Sequence, residues 1–260
     1  MTAPARWLPR LALAALAAAI AAAAGSAWLA PAAPAATDAD RALYERLSAA
    51  TMSGWDAGRG GFVAKDTRPD EDAVELMLAR GRDGDSLARA RGMATLGWMH
   101  QLLDTVGGGY VNTLRDADPT RTGFDKETIP NARRLELLAF AAAAGDARAR
   151  RDGAAVADYA ERVLLDPRGG FVSGQAGSRD LVPEVNGVAL QAWLRWGALT
   201  GASSRRDFAW KSLARLWREN HDPALGFLRR NDAGQMRGPA LLADQVEMGR
   251  AYLFSWAATG

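Results

Sequence analysis

No cysteine occurs among the 260 residues. Disulfides, thiol nucleophiles and cysteine-held metals are therefore excluded, and the lack suits an oxidising compartment. Histidine is almost as rare, with only His100 and His221. His100 follows Trp98-Met99 on an amphipathic stretch, where a packing or surface role is expected. His221 lies in the turn Asn220-His221-Asp222-Pro223 and is expected to be solvated. No histidine pair has metal-ligand spacing, so no metal is expected. The chain also lacks a phosphate loop, a dinucleotide fingerprint and a nucleophile elbow, and no cofactor is expected. An excess of one charge is missing as well, despite a pI near 9.2. Leaving out Arg6 and Arg10, which precede the first acidic residue, basic and acidic residues balance at 30 each. There is thus no electrostatic case for a nucleic-acid partner.

What is present is a four-fold internal repeat. An aspartate leads to glycine and then an aromatic residue in Asp56…Gly60-Gly61-Phe62, Asp104…Gly108-Gly109-Tyr110, Asp166…Gly169-Gly170-Phe171 and Asp222…Gly226-Phe227. The last glycines are separated by 48, 61 and 56 residues. A second glycine series, Gly84, Gly145, Gly201 and Gly260, runs out of phase at intervals of 61, 56 and 59. Repeats of this length, rich in helix formers, indicate stacked helical hairpins.

The periodicity predicts strongly apolar helices over 70–80, 126–144, 184–200 and 241–259, each following a glycine-aromatic turn. Amphipathic helices are predicted over 85–103, 147–165 and 203–220, with a further outer helix over 38–52 whose apolar face is Leu43, Leu47 and Ala50. In 203–220, Trp210, Leu213, Leu216 and Trp217 form a stripe, with Arg215 off it, and Ser203 or Ser204 is placed to cap the start. Helices buried on all sides alternating with helices wet on one side are what an α/α toroid or an α-solenoid requires. A closed ring takes about six hairpins, whereas this array supplies about four. The predicted fold is all-α: an open or partial α/α toroid over 37–260. Because the repeat places another outer helix after Gly260, Met248, Tyr252, Leu253 and Trp256 are expected to need cover. Self-association through that face, giving a homo-oligomer, or a natural sequence continuing past residue 260 would supply it.

The N-terminus carries two arginines in residues 1–10, an unbroken Leu/Ala/Ile run over 11–24, and an Ala/Pro tract to residue 36. This pattern describes an export signal, with cleavage after Ala27 or within 30–36. An uncleaved membrane anchor over 11–30 is the alternative. Either places 37–260 in the periplasm or otherwise outside the cytoplasm.

Loops entering the apolar helices converge on one rim in such arrays, and each carries polar residues. Asp244, Glu184 and Glu247 are the candidate catalytic carboxylates, since glycoside chemistry needs an acid/base pair. Trp55, Tyr110, Phe124, Asp125, Lys126, Asn131, Asn186 and Gln245 are the candidate substrate-binding residues, the aromatics as platforms for sugar rings. The structural alternative is that the carboxylates complement helix dipoles and the glycine-aromatic turns serve packing. Asn186, Asp244 and Glu247 sit among apolar neighbours, where burial requires a partner.

Several motifs occur in an order that resembles a known family. These are Gly60-Gly61-Phe62 with Lys65 and Pro69, Thr95-Leu96 through Tyr110, Phe124-Asp125-Lys126 with Pro130-Asn131-Ala132, Asn186-Gly187, and Asp244-Gln245. Together they are similar to the C-terminal α/α toroid of the thioredoxin-like, spermatogenesis-associated proteins. That toroid is akin to those of N-acylglucosamine 2-epimerases and six-hairpin glycosidases. The chain departs from the family in lacking its thioredoxin domain and in carrying Gly123 and Asp125 where the family has histidine and glutamate. The resemblance implies a carbohydrate-binding or carbohydrate-acting protein, as a hydrolase or an isomerase/epimerase. The second reading is a non-catalytic envelope protein that binds another protein or an extracytoplasmic polymer.

Overall fold

The computed structural model describes residues 37–64, 67–113, 126–176, 179–230 and 234–258. The segment over 1–36 expected to direct export lies outside them. Eight α-helices follow in order: α1 (Asp38–Ser53), α2 (Glu71–Arg82), α3 (Ser86–Met99), α4 (Thr128–Ala143), α5 (Ala147–Tyr159), α6 (Pro183–Thr200), α7 (Ser203–Asn220) and α8 (Leu242–Ala257). A two-residue hairpin, β1 (His221–Asp222) and β2 (Gly226–Phe227), lies between α7 and α8.

Helices α2, α4, α6 and α8 pack side by side as an inner layer, and α3, α5 and α7 return outside them. The sequence dictates this division. In α6, Val185, Val188, Leu190, Trp193, Leu194 and Trp196 point to every side of the helix, and thirteen of its eighteen residues are buried. Only a helix covered on both flanks accommodates that. Gly187 lets α8 approach, since a methyl there would collide with the Glu247 backbone. Gly201 ends α6 in the left-handed conformation that a Cβ disfavours.

Each glycine-aromatic repeat folds as one device. Its aspartate carboxylate accepts backbone N–H groups two or three residues ahead: Gly58 and Arg59 on Asp56, Val106 and Gly107 on Asp104, Arg168 on Asp166, Ala224 and Leu225 on Asp222. An antiparallel bridge closes the turn at Asp56–Gly61, Leu103–Tyr110, Leu165–Phe171 and His221–Phe227. The aromatic ring then enters the core. Phe62, Tyr110, Phe171 and Phe227 are 2%, 1%, 2% and 7% exposed, so they are core plugs and not sugar platforms. Trp55 is half-buried, edge-on to Phe62 at 5.3 Å with Arg91 over its face.

Several expectations are corrected by packing. In α1, Leu43 and Leu47 are exposed and Ser48 is buried, because the helix turns its Tyr44–Ser48–Met52 face inward; the Arg80 guanidinium covers the Tyr44 ring. Helix α7 starts after Ala202 with no side-chain cap from Ser203 or Ser204. Arg215 is buried: it pairs with Asp166 at 3.1 Å and donates to the Gly169 carbonyl, filling acceptors that the turn leaves open. His221 stacks on Trp217 at 3.9 Å, and His100 Nδ1 lies 2.8 Å from the Asp152 carboxylate. On α8, Met248 is fully covered and Tyr252 donates to the Leu213 carbonyl, whereas Trp256 is exposed.

Candidate functional site

The inner helices begin at one rim, and polar residues cluster there because α-helix N-termini favour carboxylates. Between the starts of α2 and α4 lies a cleft of about 730 Å³. Asp70, Glu71 and Asp72 line one wall, Glu127, Arg133 and Arg134 the other, with Arg68, Asn112 and Thr113 across the mouth. No aromatic ring is among the described lining residues.

Most of the charges in this cleft hold one another. Asp70 caps α2 through the Ala73 N–H at 2.9 Å. Arg134, buried at the floor, pairs with Glu71 at 2.9 Å, donates to the Val111 carbonyl at 2.7 Å and lies over the Tyr110 ring. Arg133 pairs with Asp72 at 2.9 Å. Two acceptors remain unengaged. Glu127, the residue before α4, is exposed and, among the described residues, uses its side chain neither as a cap nor in an ion pair. The Asn112 Oδ1 atom is shielded from solvent without a hydrogen-bond partner. Neither residue is among the expected site residues: an acid before a helix and an asparagine in a loop are commonplace.

The residues that did stand out have other tasks. The Asn131 amide accepts from the Tyr110 N–H at 2.6 Å and donates to the Tyr110 and Glu127 carbonyls. Asn186 does the same for Phe171, accepting at 2.7 Å and donating to the Phe171 and Val182 carbonyls. Gln245 repeats the pattern at Phe227. Each amide bonds both the N–H and the C=O of the preceding aromatic and a carbonyl four residues back, so it locks the repeat turn onto the next inner helix. Lys126 is buried, donates to Asp104 at 2.7 Å and to the Gly108 carbonyl, and lies over the Tyr159 ring. Phe124 and Asp125 lie outside the described residues.

Two of the three expected catalytic carboxylates meet on one guanidinium, and the third stands apart. Asp244 is fully buried, accepts the Glu184 N–H at 3.0 Å and receives the Arg229 guanidinium at 2.9 Å. Glu184 takes the same guanidinium at 2.7 Å. Arg229 thus ties the starts of α6 and α8 together. Glu247 lies deeper along α8, accepting from Gln191 at 3.1 Å and pairing with Arg250 at 3.1 Å.

No family model matches the chain, and no curated protein matches it in sequence. Solved structures do share its fold. A D-mannose isomerase superposes with a TM-score of 0.62 at 13% identity, over 83% of this chain and 66% of its own. A family 76 α-mannanase from Bacteroides thetaiotaomicron gives 0.60 at 12%, over 85% and 63%. Cellobiose 2-epimerase from Spirochaeta thermophila gives 0.53 at 16%, over 78% and 61%. The chain therefore spans about two thirds of the length of these proteins. At such identities the likeness establishes the architecture: the chain is an α/α-toroid array.

Proposed function

We propose that this protein is an extracytoplasmic carbohydrate-binding toroid protein whose ligand enters the rim cleft between α2 and α4. The observation that carries the reading is the cleft itself. It has room for a saccharide unit, fixed guanidinium groups, and an exposed acceptor, the Glu127 carboxylate, left open for hydroxyl donors. Ligand sites are expected as concave surfaces with a few convergent polar groups. The toroid fold, shared with proteins named for sugar isomerisation, epimerisation and mannan cleavage, supports the same class. The order of motifs supports kinship with the thioredoxin-linked toroids, and the leader over 1–36 supports export.

Binding without turnover is the form the geometry favours, because Glu184, Asp244 and Glu247 are all held in ion pairs. A glycan array followed by calorimetry on the best ligand tests this. Glu127→Gln should weaken binding several-fold with the fold intact. Absence of any glycan ligand, or full affinity in that variant, would end the reading. Sugar turnover abolished by Asp244→Asn in a folded protein would refute the non-catalytic form.

A further inference from the structure

Below the rim, each inner helix carries two polar side chains three or four residues apart. They are Asp72 and Glu75 on α2, Arg133 and Glu136 on α4, Gln191 and Arg195 on α6, and Glu247 and Arg250 on α8. That spacing puts both members on one helix face. Two ion pairs join neighbouring inner helices, and a third forms within α8. Asp72 and Arg133 are 2.9 Å apart, Glu136 and Arg195 2.9 Å, and Glu247 and Arg250 3.1 Å, with Gln191 donating to Glu247. Arg195 also lies against the Phe140 and Phe254 rings, 4.4 and 4.8 Å from their centroids.

Three carboxylates are thereby matched by three guanidiniums, and Glu75 is the acid left over. It is half-buried, and among the described residues no hydrogen bond or ion pair reaches it. The charges that act on it come from the three other inner helices: Glu136 and Arg133 on α4, Arg195 on α6 and Arg250 on α8. Each of those arginines is already paired, and Glu136 repels. Burial first, then Glu136, push the Glu75 carboxyl above the ordinary glutamate range. The ladder is one positive charge short.

We propose that the concave face beneath the cleft is a binding site for a primary ammonium group, received by Glu75. An ammonium suits it better than a metal ion, because among the described residues no group of three potential ligands stands together. The amino group of an amino sugar and that of a simple diamine share this chemistry.

The test is calorimetry on the full chain at pH 7.5 with glucosamine, glucose and 1,4-diaminobutane, using the natural protein and Glu75→Gln. Glucosamine should bind about tenfold more tightly than glucose, as one charge-assisted hydrogen bond implies, and Glu75→Gln should erase the difference. Affinity for either amine should fall as pH drops through the Glu75 titration, since the proton competes for the same carboxylate. Equal binding of glucose and glucosamine overturns the ammonium site and leaves the carbohydrate reading standing. Diamine binding without any sugar binding supports the site and removes the carbohydrate reading. Failure of both amines to bind, or an amine preference that survives in folded Glu75→Gln, overturns the proposal.

Discussion

Replacing Asn186 by alanine removes the clamp that joins the third repeat turn to α6. The Phe171 N–H and C=O both lose their partner, in surroundings where Asn186 is fully buried and Phe171 is 2% exposed. A buried backbone group left unsatisfied costs about 1–3 kcal/mol, so two of them give about 2–5 kcal/mol once partial relaxation is allowed. That is a large share of the roughly 5–15 kcal/mol that holds a domain together. Asn131→Ala should cost the same, since Asn131 and Tyr110 are equally buried. Gln245→Ala should cost only about 1 kcal/mol, because Gln245 is half-buried and water can reach Phe227 in its place. Urea unfolding followed by tryptophan fluorescence reads the series, with the buried Trp193 and Trp196 as reporters and an unchanged slope confirming that only stability moved. Asn186→Asp adds a control. It keeps an acceptor for the Phe171 N–H but turns its second oxygen onto the Phe171 and Val182 carbonyls, so its loss should exceed that of alanine at neutral pH and shrink on acidification. Losses below about 0.5 kcal/mol at both buried asparagines, or the largest loss at Gln245, would refute the clamp.

Three further outcomes follow from the same contacts. Arg229→Met strands Asp244 as a buried unpaired carboxylate and should cost about 3 kcal/mol in thermal or urea unfolding, most of it recovered in the Arg229→Met/Asp244→Asn double variant. Burial raises the Asp166 pKa, but hydrogen bonds from Arg168 and Arg215 outweigh it and hold the carboxyl far below its ordinary value. Its stabilisation is therefore complete above the ordinary aspartate range and drains away as pH falls toward the folded-state pKa; Asp166→Asn should flatten that acid limb of stability against pH. Glu75 has the opposite sign, because its folded-state pKa is raised. Stability should decline as pH climbs from the ordinary glutamate range through that raised value, and Glu75→Gln should be the more stable protein at neutral pH.

The amino-acid sequence by itself determined the architecture. Glycine-aromatic turns at regular intervals and the alternation of fully apolar with amphipathic helices reflect local chemistry and burial, both written along the chain. The helix over 203–220 accordingly forms where periodicity placed it, as Ser203–Asn220. The tertiary structure alone decided what the polar residues do. Asn186 attracted notice as a buried amide and Asn131 as a candidate binding residue, but whether a buried amide meets a ligand or a backbone carbonyl depends on which loop is folded against it. Asp244 is spent on Arg229, fifteen residues earlier in the chain, while Glu127, unremarkable in sequence, keeps its carboxylate open. The polar pairs at three- and four-residue spacing on the inner helices lie within apolar runs. That Asp72 and Glu136 each find an arginine on a neighbouring helix and Glu75 does not is settled only when the inner helices face one another, because that pairing is a property of distance in space and not of position along the chain.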